Sequence, residues 1–239
     1  TIEGFDPSTL NYEIELPHET TEVPTVTATT TDPEATFVIN DAEELPGTTS
    51  VVVTAENDST MLTYNVNFTL EPLTPSVAAP TPSHPEEDVI SLFSNAYTNV
   101  PVDTWSAEWD QADLEDIQIN GNDTKLYTNF TFAGIEFISQ TIDATEMTHF
   151  HLDVWTPDDT SAPSVFNVKL VDFGADGAWG GGDDVEHELT FDETTMDSET
   201  WVSLDIPISD FENLTTTGHL AQLIISGDPN TVYIDNIFF

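Results

Sequence analysis

The run Val232-Tyr233-Ile234-Asp235-Asn236-Ile237-Phe238-Phe239 sets the pattern from which the fold of this chain can be read. Its β-branched and aromatic residues favour a strand, which a single carboxylate interrupts. Similar short runs recur towards the N-terminus, and no amphipathic helical period competes with them. They predict strands at 134–138, 149–155, 166–173, 185–191, 201–206 and 220–225. The number and spacing of these strands predict a large β-jelly-roll sandwich over 89–239.

Residues 1–71 predict a second and smaller β domain. In 12–16 and again in 64–70, apolar side chains alternate with polar ones, as they do in half-buried strands. Turn signals such as Asp6-Pro7 separate the runs, which indicates a small β-sandwich of the immunoglobulin or cadherin type. Five prolines in 72–88 favour an extended polyproline conformation and predict a semi-rigid linker. The predicted fold class is therefore all-β throughout.

The charge of the chain restricts its partners. Two lysines, no arginine and 45 acidic residues give a formal net charge of −43. Nucleic acids and anionic membrane surfaces are recognised by basic patches, so both are excluded as partners. Hard cations take carboxylate and carbonyl oxygens, and a structural Ca2+ is therefore expected. The lack of cysteine excludes disulfides and thiolate metal sites, and no apolar run approaches the ~18 residues of a membrane-spanning helix.

Three tryptophans in polar surroundings are candidates for carbohydrate binding. Trp105 and Trp109 lie in a stretch without a strand pattern, close in sequence to Tyr97. Trp179 lies near the tip of a glycine-rich loop, 172–184, that also carries Asp176, and glycines let a backbone approach a ligand closely. An exposed indole can stack on the C–H face of a sugar ring while carboxylates accept its hydroxyl hydrogens. The alternatives are that each indole belongs to a core and that the loop is a plain solvated turn.

Carboxylates in two places are candidates for the calcium site. Asp235 interrupts an apolar strand, where a buried carboxylate without a basic partner is costly unless a cation binds it. Exposure of Asp235 at a sheet edge is the alternative. In the glycine-rich loop, an irregular site would draw on Asp172, Asp183, Asp184 or Asp176, because the loop lacks the spacing of an EF-hand.

Residues 1–71 resemble the cadherin-like β-sandwich repeats of bacterial surface proteins. The resemblance is carried by Gly4-Phe5-Asp6-Pro7 leading into 10–14, by the central segment 35–39 and by the closing segment 62–66. Such repeats are generally spacers, so the resemblance implies a spacer domain and indicates no ligand.

Residues 89–239 resemble jelly-roll carbohydrate-binding modules of families 4 and 22, and more closely the modules attached to bacterial laminarinases and surface glycan-binding proteins. The resemblance is carried by 89–97, 105–109, 149–155, 171–177 and 233–237. It implies a jelly roll, extracellular glycan binding and a structural calcium that uses the aspartate of the last strand. That aspartate is Asp235 here, and further ligands are expected from the first strand between Ser91 and Asn95.

These observations lead to one functional hypothesis. Residues 89–239 are expected to bind a neutral extracellular polysaccharide without catalysis, such as the β-1,3-glucan laminarin, because a protein of charge −43 repels sulfated and uronic-acid polymers. The chain is expected to be a monomeric mature segment of a protein secreted or displayed at a bacterial surface. The first alternative is a calcium-stiffened adhesin or stalk fragment. The second is a glycosidase, although paired carboxylates arise by chance in so acidic a chain.

Overall fold

A computed structural model describes Ile2 and residues 4–239 and divides the chain into two compact units, one ending at Leu73 and one from Thr74 to Phe239. Both units are built from strands, which confirms the predicted all-β fold class. Short 3-10 turns occupy Glu86–Asp88, Ile138–Gln140 and Ile208–Asp210. No helical turn in the described part of the chain has the length and hydrophobicity that crossing a membrane requires.

The first unit contains a four-stranded sheet. Its strands are β1 (Asn11–Leu16), β2 (Thr36–Asn40), β3 (Gly47–Thr54) and β4 (Met61–Leu70). They lie in the order β1-β4-β3-β2, with β1 parallel to β4 and the other pairs antiparallel. One face of the sheet lines a cleft of about 540 Å³ opposite the irregular stretch 26–32. Side chains from the sheet that line this cleft are Tyr12, Val51, Val53, Tyr64 and Val66.

The second unit contains nine strands. They are β5 (Ser91–Phe93), β6 (Gln111–Ile119), β7 (Asn122–Glu136), β8 (His149–Trp155), β9 (Phe166–Asp172), β10 (Val185–Phe191), β11 (Val202–Pro207), β12 (Leu220–Gly227) and β13 (Val232–Phe238). The first layer has the order β10-β9-β12-β7, and the second runs β7-β13-β8-β11, with β6 on β7 and β5 on β13. Inward side chains of both layers form a single large apolar core, as the jelly-roll prediction requires.

The long strand β7 belongs to both layers of the second unit. Its first half pairs with β13, where Tyr127 opposes Val232. Its second half pairs with β12, where Ile135 opposes Leu223. Asn129 lies between the two halves with a φ of 48°, a conformation that asparagine adopts more readily than most residues. The strand therefore turns from one layer into the other at this residue.

The proline-rich stretch assigned to a linker over 72–88 belongs with the second unit from Thr74 onwards. The carbonyl oxygens of Val77 and Pro80 accept hydrogen bonds of 2.9 Å from the side chains of Trp201 and Asn236. The His84 ring lies 6.1 Å from the ring of Phe238. This stretch therefore covers the outer face of β13 at Asn236 and Phe238 and contributes to the burial of that strand.

A buried tyrosine on β7 offers a test of the core. The hydroxyl of Tyr127 donates a 2.7 Å hydrogen bond to the carbonyl of Trp105, and burial raises its pKa far above the usual value. Tyr127→Phe leaves that carbonyl without its donor, so the free energy of unfolding should fall by about 1–2 kcal/mol in denaturant titrations. The control is Tyr97→Phe, whose hydroxyl bonds the carbonyl of His84 at 3.2 Å in a more exposed position. Equal losses in both variants would contradict this account.

Candidate functional site

The outward face of the first layer carries the candidate site. Along each strand of this layer, alternate residues point into the core and the others point away from it. The inward set includes Ile135, Leu223, Val168 and Leu170, all fully buried. The outward set, called the outward face below, consists of Phe132, Gly134 and Glu136 on β7, Gln222, Ile224 and Ser226 on β12, Asn167, Lys169 and Val171 on β9, and Glu186, Glu188 and Thr190 on β10.

Cross-strand register arranges the outward face in rows. The central row contains one residue from each strand, namely Gly134, Ile224, Lys169 and Glu188. Since neighbouring strands are about 4.8 Å apart, Gly134 and Lys169, which lie two strands apart in this row, are separated by about 10 Å. The row therefore runs across the strands over a distance that suits an extended ligand.

Trp109 forms a flat platform at one end of this row. Its ring lies so close to Gly134 that a Cβ there would be 2.3 Å from a ring atom, and 44% of the residue remains exposed. The indole Nε1 donates a 3.1 Å hydrogen bond to Oε1 of Glu136, and the ring of Phe132 is stacked at 6.1 Å. The backbone N–H of Gly134 also bonds the carboxylate of Asp110. One face of the indole is thus held against the sheet and the other is open to solvent.

Trp179 projects from the glycine-rich loop that follows β9. It is 62% exposed, and its main described ring contact is with Phe173, at 5.7 Å. The loop is shaped by carboxylates that accept backbone N–H groups at 2.8–2.9 Å: Asp183 accepts from Ala175 and Asp176 from Ala178. Since Phe173 follows β9, Trp179 lies near the end of the outward face.

The other aromatic residues predicted for the site lie elsewhere. Trp105 is half-buried and packs against the core, with its ring 5.4 Å from Phe93 and the ammonium of Lys125 4.6 Å from its centre. Tyr97 packs edge-on against Phe238, on the outer side of the second layer. The structure therefore brings neither residue to the platform at Trp109.

Two buried carboxylates face each other on the outer side of the second layer. Asp235 of β13 and Asp153 of β8 are paired in register, and each is at most 1% exposed. Asp235 accepts hydrogen bonds from the backbone N–H of Asn236 and from the side-chain amide of Asn122. Asp153 accepts from the hydroxyl of Ser203 and, at 2.7 Å, from the amide of Asn236. The imidazole Nε2 of His151 also lies 3.5 Å from Oδ1 of Asp153. Amide, hydroxyl and backbone N–H groups therefore supply the hydrogen bonds to the two carboxylates, with one imidazole beside them.

The surroundings of Asp235 disfavour its charged form. Burial is the main cause that raises its pKa from 3.8 to about 7, and the negative charge of Asp153 adds to it. The hydrogen bonds from Asn236 and Asn122 act in the opposite direction. Two carboxylates with amide groups beside them are oxygen donors of the kind that Ca2+ binds, and a half-turn of the Asn122 amide would present its oxygen to a cation. The residues present therefore fit a calcium ion.

The remaining metal candidates make other contacts. Ser91 donates to Asn99 at 2.7 Å, and Asn95 exchanges two hydrogen bonds with Asp123. In the glycine-rich loop, Asp172 accepts the backbone N–H groups of Gly174 and His219 at 2.8 Å. Asp184 accepts from Gly180 with one oxygen, while its other oxygen is buried without a partner. In the part of the chain described, no three His, Cys, Asp or Glu side chains are grouped to hold a metal.

Sequence reasoning named none of the residues of the outward face as site residues, including Gly134, Glu136, Lys169 and Gln222. The alternation in 166–173 and 220–225 marks which side chains share a face of each strand. It does not show which strands are neighbours or how they are aligned. These residues meet only through the register between β7, β12 and β9.

Comparison with known proteins assigns no family to the chain. No family model matches it. A gellan lyase of a Bacillus species is 46% identical over 69 residues, which make up 28% of this chain and 3% of that enzyme. The chain thus corresponds to a small fraction of that relative, and its activity is not transferred.

Several solved carbohydrate-binding modules of Clostridium thermocellum are distantly similar. A family 30 module of a cellulosomal cellulase has 16% identity and a TM-score of 0.47, covering 63% of this chain and 95% of the module. A family 11 module in complex with a β-1,3-1,4-mixed-linked tetrasaccharide has 15% identity and a TM-score of 0.40, with coverages of 63% and 94%. A family 22 module has 15% identity and a TM-score of 0.35, with coverages of 58% and 86%. Similarity at this level assigns no ligand.

The contact between Trp109 and Gly134 predicts the effect of one methyl group. Gly134→Ala places a Cβ where the indole ring lies, so the ring must move away from the sheet. This movement breaks its hydrogen bond to Glu136. We expect a red-shifted tryptophan emission and a small loss of stability, on the order of 1 kcal/mol. The control is Gly218→Ala, where the nearest atom to the new Cβ would be 3.8 Å away. An unchanged emission spectrum in Gly134→Ala would show that the indole does not lie on this glycine.

Proposed function

We propose that the second unit is a non-catalytic module that binds a neutral polysaccharide, a β-1,3-glucan such as laminarin, on its outward face. The observation that carries the proposal is the Trp109 platform, which is fixed on the sheet and open on its other side. Sugar rings present C–H groups on one face and hydroxyls at their edges. A flat aromatic surface bordered by carboxylate, amide and hydroxyl groups complements both features.

The polar groups beside the platform favour binding over catalysis. Glu136 accepts hydrogen bonds from Trp109 at 3.1 Å and from Gln222 at 2.9 Å. Glu136 acts as the acceptor in both hydrogen bonds, and its remaining lone pairs can accept a sugar hydroxyl. A glycosidase needs one carboxyl group kept protonated opposite a second one.

The rest of the proposal concerns the charge of the ligand, the role of the first unit and the location of the protein. The charge of −43 supports a neutral ligand, because anionic polymers are repelled. We take the first unit to be a spacer, and the chain to be monomeric and part of a protein secreted or exposed at a bacterial surface. A high surface charge supports this location, since it keeps a protein dispersed in salty water.

Removal of either exposed indole tests the binding face. Trp109→Ala should weaken retardation by laminarin in affinity electrophoresis about tenfold, which corresponds to the 1.4 kcal/mol of a good aromatic contact. Trp179→Ala should weaken it less, because this indole is held by fewer contacts. Trp201→Phe is the control, since Trp201 bonds Val77 away from the outward face.

The polysaccharides tested by affinity electrophoresis should include mixed-linkage glucan, xylan, mannan and alginate as well as laminarin. Unchanged affinity in both alanine variants would refute the placement of the site. Binding to none of the polymers would favour a structural adhesin, and release of reducing sugar would favour a hydrolase.

We further propose that the pair formed by Asp235 and Asp153 holds a structural Ca2+. A bound cation would offset the cost of burying two carboxylates together. Ca2+ should therefore raise the melting temperature, and a chelator should lower it. Because Asp235 has a pKa of about 7, protons compete with the metal, and the increase should be larger at pH 8 than at pH 6.

Asp235→Asn is the variant that tests this metal site. It keeps the shape of the side chain and should abolish the response to Ca2+. Asp184→Asn, in the glycine-rich loop, serves as the control and should keep that response. A melting temperature that ignores both Ca2+ and chelator in the unmodified protein would disprove the calcium proposal.

A further inference from the structure

A cluster of three charged side chains occupies the outward face on the side away from Trp109. The ammonium of Lys169 on β9 lies 3.6 Å from the carboxylate of Glu186 and 3.7 Å from that of Glu188, both on β10. The chain has two lysines, so half of its fixed positive charge stands on this face. We call these three residues the charged patch.

The charged patch has hydrogen-bonding capacity left for a ligand. Both Lys169 distances exceed the length of a hydrogen bond, so within the described residues the ammonium donates to neither carboxylate. Its side chain is 25% exposed, and the two carboxylates are 47% and 41% exposed. An ammonium offers three donors, and each carboxylate offers only acceptors. The patch can therefore accept the hydrogen of a hydroxyl group and donate to its oxygen.

The charged patch and the Trp109 platform lie in the same row. Gly134, beneath the indole, aligns with Ile224, then with Lys169 and then with Glu188. Ile224 is the residue between the two features, and it presents a half-buried apolar side chain. A glycan chain stacked on Trp109 and lying across the strands would therefore bring a neighbouring sugar onto the charged patch.

We propose that the charged patch determines specificity by accepting the hydroxyl groups of a neutral sugar and rejecting sugars that carry carboxylate or sulfate. This inference rests on the binding function proposed above. A hydroxyl can donate to Glu186 or Glu188 and accept from Lys169 at the same time. An anionic group can interact only with Lys169, and it would be repelled by two carboxylates that already neutralise that ammonium.

Charge-altering variants test the patch with laminarin and alginate as probes. Glu186→Gln/Glu188→Gln keeps side-chain size and leaves Lys169 unopposed. We expect retardation by laminarin to fall about tenfold, the cost of losing charged hydrogen-bond acceptors. Retardation by alginate should appear at low salt and fade as salt screens it. Lys169→Met should also weaken laminarin binding, but it should gain no binding to alginate.

The matched control is Glu87→Gln/Glu193→Gln, which changes the net charge equally at two exposed positions outside the outward face. Alginate binding by this control would show that net charge, and not the patch, excludes anionic polymers. Melting temperatures of all variants establish that they are folded, and Lys169→Met tests the patch alone should the double variant fail to fold.

Failure of this inference is distinguishable from failure of the proposed function. In one outcome, Trp109→Ala loses laminarin binding, while the patch variants bind laminarin with wild-type affinity and still reject alginate. The patch then plays no part in recognition, and the proposed role of the Trp109 platform is kept. If Trp109→Ala and the patch variants all bind laminarin normally, the outward face is not the binding site.

Discussion

The second unit depends on one strand that serves two sheets. β7 pairs with β13 before Asn129 and with β12 after it. Because the strand passes from one layer to the other, Tyr127 and Ile135, from its two halves, fill the same core. The residues between the inward positions of the second half then point away from the core. Gly134 is among them, so the strand that joins the layers also supplies the seat for the exposed indole of Trp109.

A scarcity of cations explains how this acidic chain uses its polar groups. Lys125 is buried, 2.6 Å from Asp116, and supports the packing beside Trp105, while Lys169 stands on the outward face. The many carboxylates instead accept backbone N–H groups, as Asp172 does where β9 ends. These hydrogen bonds from backbone N–H groups fix the shape of loops without requiring a lysine or arginine beside each carboxylate. The buried pair of Asp153 and Asp235 has no lysine beside it and only the imidazole of His151 within 3.5 Å in the described part of the chain, so a bound cation would contribute strongly there.

Sequence patterns predicted elements whose side chains alternate strongly or are largely apolar. The strands at 149–155 and 185–191 were predicted with the bounds that the structure shows. The strand Gln111–Ile119 was not predicted, because its apolar alternation shifts by one residue between 114 and 117. The exposure of Trp109 and Trp179 could be anticipated from their polar surroundings. The burial of Trp105 could not, because it depends on Phe93 and Lys125, which reach it only through the fold.

The two exposed indoles differ in how firmly they are held, and this difference shapes the binding that the face can support. Trp109 is fixed by Gly134, Phe132 and Glu136. Stacking of a sugar on this indole would therefore cost the protein little side-chain entropy. Trp179 projects from the glycine-rich loop, where its described ring contact is with Phe173, so holding it against a sugar would cost more side-chain entropy. Under the proposed function, Trp109 would determine where a sugar lies, and the neighbouring polar groups would determine which sugars are accepted.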